Sequence, residues 1–173
     1  MNAEFLAQTI RDIPDFPKPG ILFKDITPVL RDPNAFRCFI HLLKAEYAGA
    51  GLDAIVAVDA RGFLFGGALA LELGVGLIPV RKQGKLPFET RSISYDLEYG
   101  SATIEMHTDA LQPGERVLIL DDLLATGGTV GAVLQLCREA GAVVVGCAFL
   151  LELSFLDGRK RLGDVPIFAP VVA

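Results

Sequence analysis

The stretch VLILDDLLATGGTV runs from Val117 to Val130. It opens on an apolar run, Val117 to Leu120, with no polar alternation, the pattern of a strand covered on both faces. The run ends in two adjacent carboxylates, Asp121 and Asp122. A turn of small residues follows, Ala125-Thr126-Gly127-Gly128-Thr129, and leads into a helical stripe at Val130, Val133, Leu134 and Cys137 that stops at Gly141. In an open parallel sheet, ligands sit beyond the carboxyl ends of the strands, so this corner is a candidate site.

The same rhythm extends in both directions. Upstream, Asp32-Pro33 reads as a helix start, with Phe36, Phe39, Ile40, Leu43 and Tyr47 at helical spacing and Gly49 and Gly51 at the end. AIVAVD (Ala54 to Asp59) is a second buried strand, Arg61 to Leu73 a buried helix closed by Gly74, and Leu77 to Val80 a third strand. Downstream, Ala142 to Leu153 is a long final strand. Strand and helix alternate, which predicts an α/β fold: one domain over 1–173, with a central, mostly parallel sheet flanked by helices. Two regions break the pattern. The first 30 residues hold a short amphipathic helix (Phe5, Leu6, Ile10, Ile13) and then IPDFPKPGILFKDITPVL (Ile13 to Leu30), whose four prolines forbid regular helix and suggest a hood over something else. The polar stretch 82–100, weakly alternating at Ser92-Ile93-Ser94-Tyr95, reads as a mobile lid loop. The alternative for it is a β-hairpin used in oligomer contact.

Composition narrows the classes. Of 173 residues 51% are apolar and 21% charged, which excludes disorder, and the net charge of −5 argues against nucleic acid as a partner. The longest apolar runs are broken by Gly, Glu or Pro within the ~20 residues a bilayer needs, so no membrane span is expected. Asn2 and Glu4 stand where a secretory leader would be basic. Cys38, Cys137 and Cys147 sit in apolar periodic sequence and read as reduced core thiols, in keeping with a cytoplasmic protein. His41 and His107 have no nearby carboxylate or Cys partner in sequence and are assigned no chemistry.

The corner after Asp121-Asp122 has the parts of a phosphate cradle. Gly127 and Gly128 let backbone N–H groups converge, the helix N-terminus adds unpaired N–H groups with partial positive charge, and Thr126 and Thr129 add hydroxyl donors. The carboxylates do not suit phosphate. They suit ribose hydroxyls, or the waters around Mg²⁺. Neither G-x-x-x-x-G-K-[ST] nor G-x-G-x-x-G occurs, so the common nucleotide loops are excluded.

The hydrophobic strand, paired acids and LLATGGT together resemble the phosphoribosyl-pyrophosphate signature of the type I phosphoribosyltransferases. The segment Ile13 to Leu30, with DARGFLFG (Asp59 to Gly66), RKQGKLP (Arg81 to Pro87) and SYDLEYG (Ser94 to Gly100), extends the likeness over essentially the whole chain and points to the branch of that family that uses adenine. The resemblance implies transfer of a 5-phosphoribosyl group from phosphoribosyl pyrophosphate to adenine, giving AMP and pyrophosphate, with Mg²⁺ carried by the substrate and a homodimer as the assembly. Two other readings stay open: action on another purine base, or a regulator that senses phosphoribosyl pyrophosphate.

Roles follow from the resemblance, residue by residue. Ala125, Thr126, Gly127, Gly128 and Thr129 would hold the 5′-phosphate, and Asp121 and Asp122 the ribose hydroxyls, with Mg²⁺ met only through water. Asp59-Ala60-Arg61-Gly62, through backbone N–H groups of the segment around Ala60 and through Arg61, with a cis peptide expected just before the arginine, would bind pyrophosphate together with Arg81, Lys82 and Lys85. Leu22, Phe23 and Lys24 would surround the base, Phe23 by stacking and its neighbours through their backbone, with Leu123 as the opposite wall. Glu98 would manage the proton of the attacking base, and Tyr99 would reach phosphate as the lid closes. The sequence departs from the common pattern at Lys24 (usually Arg), Ala60 (usually Ser) and Gln83 (usually basic).

Overall fold

A computed structural model of the chain describes residues 2–96 and 100–173. Helix α1 (Ala3–Thr9) is capped by Asn2, whose side chain accepts from the Phe5 N–H. Strands β1 (Arg11–Pro14) and β2 (Leu22–Asp25) pair antiparallel as a separate two-stranded sheet. A one-turn helix, α2 (Thr27–Arg31), has Pro28 in its first turn, where proline is tolerated. Helix α3 (Pro33–Tyr47) begins where Asp32 accepts from the Asn34 N–H at 2.8 Å.

The main sheet follows. Strand β3 (Ala54–Val58) leads to α4 (Arg61–Leu73), then to β4 (Gly76–Lys82). Strands β5 (Thr90–Asp96) and β6 (Ser101–His107) pair antiparallel through all seven positions. Strand β7 (Arg116–Leu124), α5 (Gly128–Glu139) and β8 (Val143–Glu152) complete the second strand–helix–strand unit, and α6 (Arg159–Leu162), β9 (Ile167–Phe168) and β10 (Val171–Val172) close the chain. The strand order is β10-β8-β7-β3-β4-β6-β5, with β9 also on β8. From β10 to β4 neighbours run parallel; β6 and β5 add an antiparallel edge.

Every residue of β3 is buried because helices cover both faces. On one face Val56, Ile119, Cys147 and Phe149 meet Val130, Val133 and Cys137 of α5. On the other, Ile55, Leu118, Leu120 and Leu150 meet Phe39, Leu43, Phe65 and Leu69 of α3 and α4. Alternation along each strand therefore sorts apolar side chains into two cores, which is why no polar alternation is visible in sequence. The chain leaves β3 toward β4 and leaves β7 toward β8, in opposite directions, so a topological switch point lies between β3 and β7.

Two segments differ from the sequence reading. The expected lid loop 82–100 is a strand over Thr90–Asp96, anchored along β6. The proline-rich hood contains the β1–β2 hairpin, since Pro14, Pro17 and Pro19 fall at its end or in its turn, where no ladder N–H is required. All three cysteines are buried and free, and no described helix is long and apolar enough to cross a membrane.

Candidate active site

Three cavities meet at the carboxyl ends of β3 and β7, and the paired acids border all of them. The first, about 270 Å³, lies under the hood and is lined by Phe16, Phe23, Lys24, Asp25, Ile26, Thr27, Arg61, Asp122, Leu123 and Leu151. The second, about 80 Å³, is the turn after β7, from Asp121 through Ala125, Thr126, Gly127, Gly128 and Thr129. The third, about 140 Å³, is bounded by Asp59, Arg81, Lys82, Tyr95, Asp121 and Thr129. Asp122 faces the first, Leu123 lines the first and second, and Asp121 and Thr129 are shared by the second and third. Adjacent strand residues point to opposite sides, so a carboxylate pair at one strand end serves cavities on both sides.

Glycines set the spacing of these walls. Gly127 has φ +79°, and a Cβ there would lie 2.5 Å from the Gly158 carbonyl oxygen, so the turn closes against the segment before α6 only with glycine. Gly62, in the first turn of α4, would put a Cβ 2.9 Å from Leu120 O and 3.0 Å from Asp121 Oδ1. The helix start after β3 is thereby drawn against the acids at the end of β7. No side chain caps the N-terminus of α5 or of α4. Their first N–H groups face the strand ends, where an anion would be favoured.

The electrostatics of the acids are unequal. Asp122 is 4% exposed, and Arg61 Nε donates to its Oδ2 at 2.5 Å. That contact raises the already high pKa of Arg61 further. The first-turn arginine thus has an anionic partner within the protein, and its guanidinium lines the hood cavity. Asp121 accepts from the Asp122 N–H at 2.8 Å. Burial, followed by the neighbouring Asp122 charge, pushes its carboxyl well above the usual carboxylate range.

The hood brings its own order. Phe23 belongs to neither core; it faces the cavity and meets Phe16 edge-on at 5.1 Å between ring centroids. Lys24 Nζ pairs with Asp12 across the hairpin at 2.7 Å. Asp25 accepts from the Thr27 N–H and hydroxyl and from Arg11, and these bonds, the Thr27 N–H foremost, hold its carboxyl down to about 2. Leu22 is half exposed opposite Pro14 and does not line the cavity.

In the third cavity, Arg81 Nε donates to Asp59 Oδ2 at 2.9 Å and its Nη1 to the Lys85 carbonyl at 3.2 Å. Lys82 lines the cavity; Lys85 lies on the exposed turn beyond it, outside the lining. The non-proline cis peptide joins Asp59 to Ala60, one residue earlier than expected. Glu98 and Tyr99 lie outside the described residues. Sequence reasoning passed over Phe16 and Tyr95, and took Asp59 only as the first residue of the pyrophosphate segment Asp59 to Gly62. The alternation Ile93–Tyr95 was the available signal for Tyr95, since it sets that ring on the core side of β5.

Residues 28–166 match the family model of the phosphoribosyl transferase domain. An adenine phosphoribosyltransferase of Roseiflexus sp. (strain RS-1) is 58% identical over 166 residues, 96% of each chain. The chain belongs to the adenine phosphoribosyltransferase family. The crystal structure of the Thermoanaerobacter pseudethanolicus adenine phosphoribosyltransferase superposes with a TM-score of 0.95 at 52% identity, covering 99% of this chain and all of that one. The Giardia lamblia enzyme, solved with 9-deazaadenine, gives 0.93 at 36% identity over 100% and 98% of the two chains. The domain model begins after β2, so the likeness of the hood comes from the adenine phosphoribosyltransferase relatives, whose matches run nearly end to end.

Proposed function

We propose that the three cavities are the compartments of one transfer reaction. The base lies under the hood, the 5′-phosphate in the Ala125–Thr129 turn, the pyrophosphate beside Arg81 and Lys82, and the ribose over Asp121 and Asp122 where the three meet. The observation that carries this reading is that one of the two adjacent acids borders each space, Asp122 the first and Asp121 the other two. The reaction is transfer of the 5-phosphoribosyl group from phosphoribosyl pyrophosphate to adenine. A ring nitrogen of the base bonds to the anomeric carbon, the carbon–oxygen bond to pyrophosphate breaks with its electron pair, and the base gives up its N–H proton. The products are AMP and pyrophosphate.

The residues divide the work. Phe23 stacks on the base with Leu123 opposite, and backbone groups near Leu22 and Lys24 read its amino edge. A hydrogen-bonding edge discriminates strongly, because the wrong purine leaves polar groups unpaired. Asp121 and Asp122 meet the ribose hydroxyls. Ala60, Arg61, Arg81, Lys82 and Lys85 meet the charge of the departing pyrophosphate. Glu98 takes the proton and Tyr99 reaches phosphate. Mg²⁺ arrives bound to the substrate. Carboxylate oxygens at the border of the pyrophosphate cavity would accept hydrogen bonds from its water shell, and the ion would offset charge on the leaving group.

We assign the chain to the cytoplasm, in line with its free cysteines. We also assign a homodimer. Leu64 and Leu71 share one stripe of α4, and Leu71 is 84% exposed, an apolar face a second copy would cover; sedimentation of the purified chain tests it. The reaction is tested by offering phosphoribosyl pyrophosphate with adenine, hypoxanthine, guanine and xanthine. Adenine should turn over fastest. Faster turnover of another base, or binding of the sugar donor without turnover of any, would overturn the reading.

A further inference from the structure

Glu105 is a carboxylate with no part in the reaction described above. It lies within β6 and is 7% exposed. Burying a carboxylate is costly unless it is paired, so its partner is informative. Its Oε2 accepts from the main-chain N–H of Gly84 at 3.0 Å.

Gly84 is the tip of the basic turn that follows β4. The turn is held at further points: Gln83 N–H donates to Thr103 O at 3.0 Å, Lys85 N–H to Lys82 O at 3.3 Å, and Arg81 Nη1 to Lys85 O at 3.2 Å. Gly84 has φ +79°, a left-handed conformation that glycine takes without strain. Strand register sets Glu105 directly opposite Arg81, and directly opposed residues share a sheet face. One buried carboxylate therefore stands across from the arginine that opens the turn and holds the amide at its tip.

We infer that Glu105 is a positioning residue for pyrophosphate. By fixing the Gly84 amide it sets the curvature of the turn, so that Arg81, Lys82 and Lys85 direct their charges at one ligand. This rests on the reading of that turn as the pyrophosphate site.

The test is calorimetric titration of the full chain with magnesium pyrophosphate and, separately, with AMP, which needs no pyrophosphate site. Glu105→Gln keeps an acceptor oxygen at the same reach and should bind both ligands within about twofold of the parent. Glu105→Asp keeps the charge but withdraws the oxygen by one methylene, and Glu105→Leu removes it; each should weaken pyrophosphate about tenfold and leave AMP unchanged. If the leucine variant does not fold, the aspartate and glutamine variants carry the comparison. Parental pyrophosphate affinity in Glu105→Asp, or equal loss of both ligands, would overturn the inference. Arg81→Ala separates the two levels. If it leaves pyrophosphate binding intact, the reading of the turn fails; if it weakens binding while Glu105→Asp does not, only the role of Glu105 fails.

Discussion

The hydroxyl of Tyr95 lies 3.0 Å from Thr129 Oγ1. Tyr95 is near the end of β5 and Thr129 is in the first turn of α5, so the β5–β6 hairpin rests on the Ala125–Thr129 turn. Its ring packs against the core, and its Cδ2 would be 3.6 Å from a Cβ placed on Gly128. An anion in the turn would draw the Thr129 O–H toward itself, leaving Tyr95 to donate to Thr129. Tyr95→Phe should therefore raise the KM for phosphoribosyl pyrophosphate and weaken AMP, each by about fivefold, with the KM for adenine unchanged. Steady-state kinetics with each substrate varied in turn would show it, and a phenylalanine variant with parental constants would remove Tyr95 from the site.

Asp121 makes stability depend on pH in an unusual direction. Its carboxyl is pushed up by burial first and by the Asp122 charge second. An acid with a raised folded pKa binds its proton more tightly in the folded chain. Its penalty is absent below the unfolded value of about 3.9 and grows as pH rises from there until the folded pKa is passed. Asp121→Asn should thus melt above the parent at pH 7, by a margin that shrinks as pH is lowered toward 4. The same variant should bind phosphoribosyl pyrophosphate at least about tenfold more weakly, since a charged or protonated oxygen facing ligand is lost. Melting curves across this range, alongside binding, check both halves.

Asp25 runs the other way. Its carboxyl is held near 2, chiefly by the Thr27 N–H and next by Arg11. A depressed folded pKa contributes stability above the unfolded value, and this is lost as pH falls from about 4 toward 2. These bonds join β1, β2 and α2 of the hood. Asp25→Asn should loosen the hood at neutral pH, speed proteolytic cleavage between Arg11 and Arg31, and raise the KM for adenine roughly fivefold. Unchanged cleavage would mean that the hood is held elsewhere.

Gly127→Ala tests the shape of the turn itself. The added methyl meets a left-handed backbone and the Gly158 carbonyl oxygen 2.5 Å away. A residue held in that conformation costs of order 1–3 kcal/mol, and the contact adds displacement of the turn. Lower melting temperature together with lost AMP binding is the expected result in a thermal shift assay with and without AMP.

The central strands and helices were legible because each is marked locally. β3 and β7 read as unbroken apolar runs, since both faces are covered. Gly74 ends α4 in a left-handed conformation, and Asp32 starts α3 as a cap. The paired acids and the glycine turn stood out because a strand end, a flexible turn and a helix start follow one another within a few residues. The hood hairpin was hidden by exposure: β1 and β2 carry arginine, lysine and aspartates whose spacing is not governed by a core, while β5 showed only a weak alternation that left a hairpin as the second reading.

Sequence alone determined the parallel core, the family and the glycine turn after β7, since hydrophobic burial and backbone conformation are written into neighbouring residues. Tertiary structure decided what no single segment contains. It paired Arg61 with Asp122, sixty-one positions on, set Tyr95 on Thr129, and placed Glu105 behind the basic turn. Those contacts arise from strand order and register, and register is settled only when distant strands compete for the same partners in a closed core.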